Sequence, residues 1–168
     1  MKIRILNEAD AQLYQEVRLS ALKINTEAFG STYEREVKFS LESVAERLES
    51  TKDKFVFGAF NNNGSLVGID TFMLENSLKT SGKWNIFLGV YVAPEGRGKG
   101  LGKSLMIELI GKAKNCVGLE QINLTVVSEN SSAKKLYKSL GFKAYGVERN
   151  ALKFNGQYFD EDLMVLNI

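Results

Sequence analysis

The sequence predicts an α+β fold, a mixed, mostly antiparallel sheet of about seven strands with helices on both faces. Three observations carry that reading. Alternating apolar segments and segments of helical spacing follow one another in the order β-α-α-β-β-β-α-β-α-β-β. Asn63-Gly64 and Asn155-Gly156 each sit between apolar runs and mark hairpins. An apolar strand ends at Pro94, the only proline, where glycines at 96, 98, 100 and 102 open a helix. No repeat, low-complexity tract or linker divides the 168 residues, so one domain over 1–168 is expected.

In chain order, residues 2–6 alternate Ile3 and Ile5 with charges and read as a short first strand. Asn7 or Asp10 can cap the next helix, whose inward stripe would be Leu13, Tyr14, Val17, Ala21 and Leu22. Residues 25–31 break that pattern. Ser40 caps a second helix with Leu41, Val44, Ala45 and Leu48 inward. Residues 55–60 and 66–72 flank the first Asn-Gly turn, and 75–82 form a polar connection into a central strand that runs to Val92. The following helix places Leu101, Leu105, Met106, Leu109, Ile110 and Ala113 on one side and ends at Val117-Gly118. Residues 121–127 make the fifth strand. Asn130 or Ser131 starts a short helix with Ala133, Leu136, Tyr137 and Leu140 inward and Gly141 just past its end. Residues 142–154 and 158–166 form the closing hairpin.

Composition excludes several classes. Charge is close to balance, 22 basic against 20 acidic residues, so no field favours a nucleic-acid partner or a membrane surface. No apolar run approaches the roughly 20 residues of a membrane span, and the start of the chain breaks at Asn7-Glu8, too soon for a signal peptide. The lone Cys116 permits no internal disulfide, and the expected compartment is the cytoplasm. Zero histidines remove imidazole bases and histidine-dependent nucleophiles, and with one cysteine no metal is expected. Acid–base chemistry must then rest on carboxylates, tyrosine, lysine or water.

Residues 90–105 read Val-Tyr-Val-Ala-Pro-Glu-Gly-Arg-Gly-Lys-Gly-Leu-Gly-Lys-Ser-Leu. A side-chain-poor turn that opens a helix leaves backbone N–H groups unpaired, and the helix dipole with Arg97, Lys99 and Lys103 adds positive potential. Such a turn suits a phosphate or pyrophosphate. The dinucleotide pattern G-x-G-x-x-G fails, because from Gly98 and Gly100 the third position is Lys103. A P-loop-type nucleotide binder remains an alternative through Gly102-Lys103-Ser104. Its first glycine would fall on Arg97, and the later strand runs into Ser128-Glu129-Asn130 where a metal-holding aspartate is wanted.

Arg97-x-x-Gly100-x-Gly102, after a strand and Val-Ala-Pro, resembles the acetyl-coenzyme A pyrophosphate signature of the GNAT N-acetyltransferase superfamily. Residues 130–142, Asn-Ser-Ser-Ala-Lys-Lys-Leu-Tyr-Lys-Ser-Leu-Gly-Phe, resemble a second segment of that superfamily, Asn-x-x-Ala-x-x-Leu-Tyr-x-x-x-Gly-Phe. The element order is similar to the GNAT order along the whole chain. Residues 155–164 resemble the closing hairpin of small bacterial members.

The resemblance implies an acyltransferase that moves acetyl from acetyl-CoA, its co-substrate, to a primary amine by direct attack in a ternary complex. It assigns the pyrophosphate to Arg97, Gly98, Lys99, Gly100, Leu101, Gly102, Lys103 and Ser104. It implies that the fourth and fifth strands splay, with Val90, Tyr91 and Val92 along the coenzyme arm and a Val90 or neighbouring N–H on the thioester carbonyl. Asn130 and Ala133 would meet the same coenzyme. Tyr137 becomes the general acid, since a phenol of pKa about 10 can protonate a thiolate. Without the motif Tyr137 is a core aromatic, and Val90 and Val92 are core valines. Lys134, Lys135 and Lys138 either meet the 3′-phosphate or form an exposed basic face. Cys116, at the far end of its helix, does not suit a covalent acetyl-enzyme.

The base is unassigned. Many relatives carry a glutamate on the fourth strand, where this chain reads Lys83-Trp84-Asn85-Ile86-Phe87-Leu88. Glu75, Glu34 and Glu36 are candidates, or ordinary solvated carboxylates. That gap keeps open a coenzyme A-binding sensor or scaffold with little turnover. The acceptor, a small-molecule or peptide amine, would meet residues 26–37, where Phe29, Tyr33, Glu34 and Glu36 form either an aromatic and acidic pocket or a capped hydrophobic corner. Exposed edges of the closing hairpin would suit a homodimer.

Overall fold

The computed structural model describes residues 1–74, 83–86, 90–116 and 118–168, with 83–86 as backbone only. The expected connection at 75–82 with Glu75, the strand residues 87–89, and Val117 at the expected helix end lie outside the described residues. The strands are β1 (Lys2–Ile5), β2 (Lys54–Phe60), β3 (Leu66–Leu74), β4 (Lys83–Ile86), β5 (Tyr91–Val92), β6 (Gln121–Val127), β7 (Lys143–Phe154) and β8 (Gln157–Asn167). The helices are α1 (Ala11–Ile24), α2 (Tyr33–Glu36), α3 (Leu41–Leu48), α4 (Leu101–Ala113) and α5 (Ser131–Ser139). The expected order holds, with β4 and β5 lying on either side of residues 87–89 of the expected fourth strand, and one added helical turn, α2.

The strands form a sheet in the order β1-β2-β3-β4-β6-β8-β7, with β5 beside β3. Pairing is antiparallel except between β4 and β6, which run parallel from Lys83↔Gln121 to Ile86↔Leu124. Among the described residues, β5 and β6 do not pair with each other. β5 pairs with β3 (Gly68↔Val92, Ile69↔Tyr91), while Thr125, Val126 and Val127 of β6 pair with β8. The sheet is therefore joined at one end of β4/β6 and open between β5 and β6 at the other.

Each face carries its own core. Strand alternation sends Phe55 and Phe57 one way and Val56 the other. On the first face, Leu105, Met106 and Leu109 of α4 and Tyr137 of α5 pack with Phe72, Ile122, Leu124 and Met164. Gly68 lets α4 close down, because a Cβ there would stand 2.9 Å from Leu105 Cδ1. On the second face, Tyr14, Ala21, Val44 and Leu48 of α1 and α3 cover Val56, Ile69 and Tyr91.

Four details differ from the sequence reading. Asn7 caps a short 3-10 turn, Glu8–Asp10, whose Asp10 completes a capping box, so α1 starts at Ala11. α1 buries Gln15 and Arg18 and leaves Leu13 39% exposed, because Glu36 supplies partners that make burial of those polar groups tolerable. Leu41, expected inward, is exposed at the first turn of α3, and α4 ends at Ala113 rather than at Gly118.

Candidate active site

The glycine-rich turn lies between β5 and α4. Pro94–Gly96 make one 3-10 turn, after which Gly98 and Gly100 take left-handed backbone, φ 74° and 73°. A Cβ built at either position meets nothing within 4 Å, so the turn is shaped by backbone and open outward. Among the described residues, the N–H groups of Gly98, Lys99, Gly100, Leu101, Gly102 and Lys103 have no backbone acceptor. Pairing resumes with Ser104, whose N–H bonds Gly100 O at 3.0 Å. Leu101 buries its side chain and fixes this turn to the sheet. Arg97 is turned away: its Nε donates to Val92 O and its Nη2 to Asn25 Oδ1, both at 2.9 Å. The Lys99 ammonium donates to Glu95 O, and Ser104 Oγ to Gly100 O.

β5 borders the gap. Ala93 N–H bonds Val67 O at 2.9 Å, so by strand alternation Tyr91 also turns its backbone to β3, and Val90 and Val92 turn theirs to the gap. Val92 O is taken there by Arg97, while the Val90 amide lies near enough to the Tyr137 phenol to favour its ionised form. A Cβ at Gly102 would lie 3.4 Å from Val90 Cγ1 and from Leu136 Cδ2, so the start of α4, the edge of β5 and α5 converge.

Tyr137 is 4% exposed and packs on Phe142 with ring centroids 6.0 Å apart. Burial raises its pKa above the usual tyrosine value, the charge of Asp70 pushes the same way, and the Val90 amide pulls part of the shift back. Asp70 itself sits on β3, 1% exposed, with no hydrogen-bond partner among the described residues for either carboxyl oxygen. Desolvation lifts its pKa well above the carboxylate range, and the Thr71 amide opposes that without forming a well-aligned bond. The sequence reading missed Asp70, though its signal was present: it is the one charged residue in the apolar run Leu-Val-Gly-Ile-Asp-Thr-Phe-Met-Leu.

A cavity of about 450 Å³ opens between residues 22–34 and the tip of the β7–β8 hairpin. Phe29, Tyr33 and Phe154 supply aromatic surface, Lys23 and Lys153 positive charge, and Glu27 and Glu34 negative charge. Phe29 meets Tyr91 edge-on at 6.3 Å, and the 3-10 turn Thr26–Ala28 touches both β6 and β7. Tyr91 belongs to the α1 face of the sheet and Tyr137 to the α4 face, so cavity and phenol flank the gap from opposite sides. The hairpin lip is shaped by a bulge between Glu148 and Leu152: Asn150 is left-handed at φ 52°, and its N–H donates to Asp160 Oδ1 at 2.9 Å. No sequence signal marked that bulge or the two lysines.

Glu36 is not part of this cavity. Arg18 Nε and Nη2 grip its two carboxylate oxygens at 3.0 and 2.9 Å, both side chains being buried. Burial pushes its pKa up, but Arg18 outweighs that and holds it below the ordinary 4.5. A carboxylate so held is no proton acceptor at neutral pH, which removes it from the candidate bases. Asn130 caps α5, its Oδ1 accepting from Ala133 N–H at 3.1 Å, and Ala133 is half-buried against the core. Lys134 pairs with Asp162 at 2.7 Å, leaving Lys135 and Lys138 as the exposed cations of that helix. Among the described residues no cluster of metal-ligand type occurs, and no helix is long and apolar enough to cross a membrane.

A family model described as an acetyltransferase (GNAT) domain matches residues 3–163. The SPbeta prophage-derived uncharacterized N-acetyltransferase YokL of Bacillus subtilis is 31% identical over 120 residues, covering 71% of this chain and 64% of that protein. The L-amino acid N-acetyltransferase AaaT of Escherichia coli is 33% identical over 72 residues, 43% of this chain and 44% of that protein. The matched stretches thus span less than two thirds of these curated relatives. Among solved structures, yncA from Salmonella typhimurium, determined with its cofactor acetyl-CoA, superposes with TM-score 0.85 at 24% identity, covering 99% of this chain and 93% of that one. At that identity the likeness is one of fold.

Proposed function

The chain belongs to the GNAT acetyltransferase family, and on that footing we propose that it is an acetyl-CoA-dependent N-acetyltransferase, one catalytic domain over 1–168 working on a small amine in the cytoplasm. Family membership displaces the nucleotide-loop alternative. Acetyl-CoA supplies the acyl group as a thioester. The open cradle fits its diphosphate: among the described residues the amides from Gly98 to Lys103 lack backbone acceptors at the positive end of α4, and nothing stands within 4 Å of a Cβ built at Gly98 or Gly100. Val90 and Val92 line the coenzyme arm, and the Val90 N–H is the donor available to the thioester oxygen.

The observation that carries the reading is that β5 at Val90 and α5 at Leu136 converge on the start of α4, which sets the Val90 amide beside the buried Tyr137. Oxyanion donor and proton donor therefore stand at one point of the gap. The cavity opens on the other side, so an amine reaches the acyl carbon from one face while the sulfur departs toward Tyr137. That supports direct attack in a ternary complex, with Tyr137 as the general acid.

Lys23, Lys153, Glu27 and Glu34 all border the cavity, a lining of both charges that favours an acceptor bearing both, an amino acid in type. An L-amino acid N-acetyltransferase among the relatives supports that class. Glu34 and Glu27 border the cavity and take the amine proton directly or through water. Release of free thiol from acetyl-CoA over a panel of amino acids, polyamines and peptides tests the proposal. Amino acids are expected to give the fastest release. Coenzyme binding without release from any amine would instead make the protein a sensor or scaffold.

A further inference from the structure

The mechanism so far leaves Asp70 unused, and an unpartnered carboxyl at 1% exposure is rare enough to require a reason. Its place is specific. The register Gly68↔Val92 and Ile69↔Tyr91 sets Asp70 beside Val90, whose amide lies near the Tyr137 phenol. Alternation puts its side chain on the face shared by Gly68 and Phe72, toward α4 and the core that contains Tyr137. The groups are close enough for the Asp70 charge to perturb the phenol. Neither carboxyl oxygen is engaged elsewhere among the described residues.

We propose that Asp70 rests as a neutral carboxylic acid behind Tyr137 and returns to the phenol the proton it gives to the departing thiolate. In that sequence the Tyr137 O–H bond breaks as the S–H bond of the product thiol forms. The Asp70 O–H bond then breaks as the phenol O–H reforms. The Asp70 carboxylate takes a proton from water when the thiol leaves, equal to the one released by the attacking amine. The second transfer runs from a carboxylic acid to a phenolate, the more basic of the two oxygen bases. Burial without a partner accounts for the resting state, because the ionised carboxylate has no hydrogen bond to hold it. A neutral Asp70 also spares Tyr137 a negative neighbour that would make it a poorer acid.

The inference rests on Tyr137 as general acid, and a double-mutant cycle separates the two claims. Asp70→Asn, Tyr137→Phe and the double variant are compared for kcat, KM of acetyl-CoA and Tm. Asp70→Asn is expected to lower kcat by about 10- to 100-fold, within the range of a proton-transfer group, with KM within about twofold. In the Tyr137→Phe background the same change should cost nothing further. Asp70→Leu, which removes the orphan polar group, should match the kcat loss with Tm equal to or above wild type. Full activity of Asp70→Asn, an equal loss in both backgrounds, or collapse of Tm in both Asp70 variants would overturn the proposal. Undiminished kcat in Tyr137→Phe alone would sink the acid assignment instead.

Discussion

Replacing Glu36 by glutamine leaves the Arg18 guanidinium buried with its charge unmatched. The two side chains are 2% and 4% exposed, and both Arg18–Glu36 bonds are at 3.0 Å or less. Arg47, 3.9 Å from Glu36 and 43% exposed, reaches water and gives Arg18 no compensation. Removing one member of such a pair costs about 3–5 kcal/mol. For a chain of this size, about 2–4 °C per kcal/mol puts the fall in Tm at roughly 6–20 °C. Changing both residues, Arg18→Met with Glu36→Leu, removes the desolvation cost with the charges and should recover most of that loss. Arg18 also lies 4.9 Å over the Phe29 ring, so Glu36→Gln should raise the acceptor KM while acetyl-CoA binding is kept. Thermal unfolding of the four-member cycle is the assay. A loss under about 1 kcal/mol for Glu36→Gln, or a double variant no better than the single, would refute the argument.

Glu36 and Asp10 both titrate below their ordinary values of 4.5 and 3.8, so folding loosens their grip on protons. Their stabilisation is whole above those values and is lost as pH falls through the lower folded ones. Denaturant titrations should show stability dropping below about pH 4, more gently in Glu36→Gln. Tyr137→Phe keeps the ring packed and should lower kcat by roughly 10- to 10⁴-fold with little change in coenzyme affinity, read by thiol release. Gly100→Ala meets no neighbour but is held at φ 73°, so about 1–2 kcal/mol of stability should go, with weaker coenzyme A binding by calorimetry. Asp160→Ala frees the Asn150 amide and should raise the acceptor KM without touching that of acetyl-CoA.

What the sequence made legible was backbone-driven. The turn that Gly98 and Gly100 demand, the Asn155-Gly156 hairpin and the Tyr137 stripe on α5 all depend on local spacing, and each lies where that spacing puts it. What it hid depends on pairing between distant residues. Helical spacing placed Leu13 inward on α1, whereas Glu36, far along the chain, made Gln15 and Arg18 the buried pair. Glu36 therefore looked like a free carboxylate. Lys153 reaches the cavity because Asp160 pins a bulge, a feature with no local code. Asp70 could have been noticed as a lone acid in an apolar strand, but its proximity to Tyr137 comes from the core that β3 and α5 share.

The most direct measurement is a crystal structure of the protein with acetyl-CoA bound. The account predicts diphosphate oxygens about 2.7–3.2 Å from N–H groups between Gly98 and Lys103, with the sulfur in the β5/β6 gap facing the Tyr137 hydroxyl. A coenzyme whose diphosphate lies away from that turn, or whose sulfur points to the opposite face, would contradict it.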